Sequence, residues 1–81
     1  MNEAAVIAAI AAELEVKPDT LRLDGRFAED YAVDSLDFVR LVMAVEQAAA
    51  VKIEDKEAVQ ARTVAALIEL ARRSPPDERS R

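Results

Sequence analysis

The chain has 81 residues, a formal net charge of −5, 52% hydrophobic residues, one glycine, three prolines, and neither cysteine nor histidine. That length holds one small domain, and the residue inventory excludes disulfides, thiolate metal sites, a cysteine nucleophile and a Ser-His-Asp arrangement. Residues 1–71 carry 7 Lys+Arg against 14 Asp+Glu, which disfavours nucleic acid, whose phosphates need clustered cations, and fits docking to basic protein surfaces.

Alanine, leucine, glutamate and arginine dominate and favour helix. Asn2 is a candidate N-cap, and Val6, Ile10 and Leu14, with Ile7 beside them, form one apolar stripe. The spacing predicts a first helix over residues 3–16, closed by Pro18, because a residue before proline is pushed out of the helical region. Residues 17–33 show no helical period. They read as a long loop that stays ordered only if Leu21, Leu23 and above all Phe27 tuck into the core.

Asp34 then reads as an N-cap, with Asp37 at the third helical position in a capping-box arrangement. The second helix is predicted over residues 35–49, and it carries two apolar stripes. Phe38, Leu41, Val42, Val45 and Ala49 make a core face; Leu36, Val39 and Met43 lie on a neighbouring face. So small a domain has no room to bury both, so the second stripe is a candidate partner surface. Ile53 follows in an extended link, and residues 54–61 make one or two helical turns around Val59. Thr63 caps a last helix whose inner face holds Val64, Leu67, Ile68 and Ala71. Residues 74–81 ("SPPDERSR") combine two prolines with charge and are expected to be disordered. The fold class is therefore all-α: a small four-helix bundle over residues 1–73, of three main helices and a short third one, with a long first loop.

Intrinsic catalysis fails on inventory. Glu29, Asp30, Asp34 and Asp37 miss the spacing of a calcium loop, and no metal site is expected. Nor is there a basic leader or an apolar run near the ~20 residues a membrane span needs. The expectation is a cytoplasmic monomer that is not an enzyme. What remains is Ser35, a hydroxyl in the first turn of a helix. A phosphate attached there would meet unpaired backbone N–H groups and the positive end of the helix dipole. Taken alone, Asp34 and Ser35 read as caps and nothing more, the commonest reason for Ser or Asp at a helix start.

The context extends beyond the tripeptide. "DSLDFVRLVMAVE" resembles the modification-site helix of acyl carrier proteins, "LRLDGRFAEDYAVDSL" their preceding loop, and "VKIED" and "TVAALIEL" their link and last helix. The resemblance implies that Ser35 receives 4′-phosphopantetheine from coenzyme A, through a Mg²⁺-dependent phosphopantetheinyl transferase. Asp34 would position the hydroxyl, and Leu36, Val39 and Met43 would be apolar contacts near the arm. Asp37 and Glu46 match acidic positions that meet basic patches on acyl- or aminoacyl-activating and transferring enzymes. The chain also departs from the pattern. Ala32 replaces a frequent glycine, Arg40 stands where glutamate is common, and Gln47 and Ala48 replace further acids. Ala48, Ala49 and Ala50 replace bulk at the end of the second helix, which leaves either closed packing or room for an acyl chain. The weakened acidity leans towards a specialised lipid or secondary-metabolite pathway. Two alternatives stay open: an aminoacyl or peptidyl carrier, and a helical interaction module with Ser35 only a cap.

Overall fold

The computed structural model describes residues 1–78, in which three long helices and two short ones enclose one core. α1 is Glu3–Leu14, started by Asn2, whose side chain accepts the Ala5 N–H at 3.1 Å. It ends two residues short of the sequence expectation. Glu15 turns left-handed (φ 59, ψ 42) and sends its N–H back to the carbonyls of Ala11 and Ala12, satisfying acceptors the helix end would otherwise leave bare. Pro18 therefore closes nothing. It opens a 3-10 turn, Pro18–Thr20, at a position where its missing N–H costs nothing.

The expected loop also contains a helix, α2, Phe27–Tyr31. Asp30 holds its start, accepting the Arg26 N–H at 2.7 Å and the Arg26 guanidinium at 3.3 Å. Phe27 is the anchor, 3% exposed and tilted against Phe38 with ring centroids 5.8 Å apart. Leu21 packs partly on the core, but Leu23 does not: its side chain is 56% exposed. The backbone around it does the fastening instead. Leu23 and Gly25 carbonyls accept the Ala65 and Val64 N–H groups at 2.8 and 3.0 Å, and the Phe27 N–H donates to Arg62 at 3.0 Å. Gly25 permits this because the Tyr31 ring lies on it. A Cβ there would stand 2.6 Å from Tyr31 Cε2.

α3, Ser35–Ala49, has the predicted bounds and buries Leu41, Val42 and Val45. α1 packs chiefly along it. Beyond it Val51 and Ile53 are buried, and α4, Asp55–Ala58, buries Ala58. The short helix does not centre on Val59, which follows it and is 64% exposed. α5, Val64–Arg73, is capped by Thr63 Oγ1 accepting the Ala66 N–H at 3.1 Å, and it buries Val64, Leu67, Ile68, Leu70 and Ala71. Arg72 pairs with Glu3 and with Glu69, tying the end of α5 to the start of α1.

The segment after α5 departs from the expected disorder. Pro75 accepts the Lys52 N–H at 2.9 Å, and the Asp77 N–H donates to Ala50 at 3.0 Å. Backbone groups left unpaired in the α3–α4 link recruit it. Residues 79–81 of that tail lie outside the described residues. Among the described residues, no helix is long and apolar enough to cross a membrane.

Candidate functional site

Ser35 is the first residue of α3 and is exposed. Its position is fixed from both sides. Asp34 Oδ1 accepts the Asp37 N–H at 2.8 Å, and Asp37 Oδ2 accepts the Asp34 N–H at 3.3 Å, a reciprocal capping box. The Asp37 N–H, with a smaller contribution from the Arg40 charge, holds the Asp34 carboxyl below the usual carboxylate range. One of the first-turn donors that the sequence reading offered to a phosphate is therefore already taken, by the chain's own carboxylate.

Beside Ser35 opens a cleft of about 480 Å³ between α2, the start of α3 and residues 59–62. Its walls include Phe27, Val33, Phe38, Val39, Val59 and Ala61, and Glu29, Asp34, Ser35 and Arg62 also line it. This is the end of α3 opposite the one where the run of alanines left room open. There Ala48 and Ala49 are half-buried and pack against the core. Sequence reasoning missed Glu29, Val33, Val59, Ala61 and Arg62 as site residues. Nothing in their local pattern marks them, because the cleft is assembled from segments far apart in the chain.

The second stripe of α3 is solvent-facing: Leu36, Val39 and Met43 are 60%, 54% and 53% exposed. Asp37 and Arg40 are exposed beside it. Glu46 differs. It is half-buried, and its Oε2 accepts the Ile53 N–H at 2.8 Å. An acid expected to face partners thus secures the link after α3, and Ile53 itself is 2% exposed. Among the described residues, no cluster of three or more potential ligands is placed to hold a metal ion.

A family model described as "Phosphopantetheine attachment site" matches residues 4–71. The chain belongs to the acyl carrier protein family. An acyl carrier protein of Thermosynechococcus vestitus is 40% identical over 68 residues, covering 79% of this chain and 84% of its own. One from Helicobacter hepaticus is 41% identical over 59 residues, covering 73% of this chain and 78% of the relative. A third, from Campylobacter hominis, is 43% identical over 49 residues, covering 60% of this chain and 62% of the relative. The prosthetic group of acyl carrier proteins is 4′-phosphopantetheine. The geometry here fits it: an exposed serine, in a backbone held by the capping box, lines a largely apolar cleft.

Proposed function

We propose that Ser35 carries the phosphopantetheine arm and that the chain serves as an acyl carrier, passing cargo among biosynthetic enzymes. The observation that supports this best is the placement of Ser35. It is exposed, held by the capping box, and next to the cleft. Attachment would join Ser35 Oγ to the pantetheine-side phosphorus of coenzyme A, with the adenosine bisphosphate half leaving and the serine proton passing to a base of the transferase. The arm, once bound, supplies the thiol that holds an acyl group as a thioester. The residues of this chain do the rest: Asp34 and Asp37 fix the direction of the serine, and the cleft offers an apolar wall to the arm and its cargo.

Leu36, Val39 and Met43 are the proposed docking stripe, with Asp37 and Arg40 on its rim. Exposed apolar side chains flanked by charge are where a transient partner gains contact area and register. In this reading the partners are the transferase and acyl-handling enzymes with basic surfaces, met in the cytoplasm by a monomer. The substitution of Arg40 for an acid supports a specialised partner set. The apolar part of the cleft wall, with Phe27, Val33 and Phe38, supports an acyl cargo, whose chain gains by leaving water there.

Intact-mass measurement after incubation with coenzyme A, Mg²⁺ and a broad-specificity transferase tests the proposal. The wild type should gain one phosphopantetheine and Ser35→Ala none. A Ser35→Ala protein that still gained the arm would overturn the assignment.

A further inference from the structure

Among the described residues, Arg62 is the only basic side chain lining the cleft that Ser35 also lines. Its backbone is fixed, because its carbonyl accepts the Phe27 N–H and the next residue caps α5. Its side chain is uncommitted. Arg22, Arg26 and Arg72 each pair with a carboxylate, whereas exposed Arg62 takes part in no ion pair among the described residues. The rest of the neighbourhood is acidic: Glu29 and Asp34 line the same cleft, and Asp37 stands in the first turn of α3. None of these carboxylates forms an ion pair with Arg62 among the described residues.

A phosphodiester on Ser35 Oγ adds a negative charge between the carboxylates of Asp34 and Asp37. Like charges so close repel. Backbone N–H groups at a helix start are the ordinary remedy, but here the Asp37 N–H is already donated to Asp34. With that donor spent, a full positive charge on a side chain adds what the partial charges of the remaining backbone donors lack. Arginine presents paired N–H donors that match two phosphate oxygens.

We propose that Arg62 is the phosphate-positioning residue of this carrier: its guanidinium pairs across the cleft with the phosphodiester on Ser35 and seats the first part of the arm against the cleft wall. The proposal rests on the assignment of Ser35 as the attachment point. Arg40 is the rival cation. Its charge acts on Asp34 from α3, but it does not line the cleft.

The test compares unmodified and modified forms of the wild type, Arg62→Gln, Arg62→Lys and Arg40→Gln, with loading verified by intact mass. Three properties are read: the ³¹P resonance of the phosphodiester, the Nε–Hε resonance of Arg62, and the melting temperature. Unmodified wild type and Arg62→Gln should melt within about 1–2 °C of each other, because the side chain has no partner to lose. After modification the wild type should melt about 2–5 °C above Arg62→Gln, a gap that narrows in high salt. The phosphorus resonance should differ between these two proteins, the Arg62 Nε–Hε signal should move on modification, and Arg62→Lys should fall between. Identical phosphorus resonances and melting temperatures in modified wild type and Arg62→Gln overturn the proposal, as does a resonance moved by Arg40→Gln and not by Arg62→Gln. A wild type that takes up no arm would refute the Ser35 assignment and this proposal with it.

Discussion

Replacing Ala32 with glycine removes one methyl group from the residue that ends α2, two positions before the acid that caps α3. Ala32 sits at φ 55, ψ 35, and its N–H closes α2 on the Phe27 carbonyl. In that left-handed region the Cβ of an L-residue crowds the following carbonyl, at roughly 1–2 kcal/mol. Glycine escapes this crowding but loses more freedom on folding, which offsets roughly 0.4–1 kcal/mol. Ala32 is exposed, so no packing is lost. The balance is a gain of about 0.5–1 kcal/mol, or about 2–8 °C in melting temperature for a domain this size. Ala8 is the internal control: exposed and inside α1, it should lose about 1 kcal/mol on the same change, because glycine there only adds chain entropy. Thermal and urea unfolding followed by far-UV circular dichroism measure both. The reasoning is refuted if Ala32→Gly is destabilised as Ala8→Gly is.

Glu46→Ala removes the acceptor of the Ile53 N–H; it should cost about 1–3 kcal/mol and speed exchange of the Ile53 amide, while Glu46→Gln should restore most of both. A Glu46→Ala protein that melts like wild type yet docks poorly would return this acid to the partner surface. Asp24, Asp30 and Asp34 are held below the usual carboxylate range by the Arg22 side chain, the Arg26 N–H and the Asp37 N–H respectively. A carboxyl depressed in the folded state adds stability that is complete above its unfolded value, about 4, and is lost as pH falls through the lower folded value. Melting temperature should therefore hold from neutral pH to about 5 and drop below about 4, less steeply in Asp34→Asn; equal wild-type-to-variant gaps at pH 3 and pH 7 would contradict this. Arg40→Glu should speed association with a basic fatty-acid synthase partner at low salt, by no more than the roughly 0–1 kcal/mol of an exposed pair, and slow transfer to the carrier's own enzyme. Equal rates with both partners at low and moderate salt would make Arg40 a bystander.

What was legible in the sequence follows from where the information is local. α3 carries its own start signal in Asp34 and Asp37 and its own period in Leu41, Val42 and Val45, so its bounds and both its faces could be read directly. Thr63 and the stripe after it made α5 equally plain. Helix ends were less legible, because Glu15, Ala32 and Ala50 all stop a helix left-handed where no glycine announces it. α2 is too short for a period and exists because Asp30 ties back to Arg26 and Phe27 is drawn into the core. The non-local features were invisible: Glu46 turned inward to Ile53, the tail drawn onto Ala50 and Lys52, and the cleft that Arg62 and Ser35 both line.

Ser35 alone is proposed to bear the prosthetic group. The chain offers two other serines, Ser74 and Ser80, and Ser74 Oγ already donates to the Leu70 carbonyl at 2.6 Å. Fragmentation mass spectrometry of the enzymatically modified wild-type protein locates the arm directly. One phosphopantetheine is expected, carried entirely by fragments containing Ser35. An arm found on Ser74, on Ser80 or on any residue outside the start of α3 would contradict that assignment.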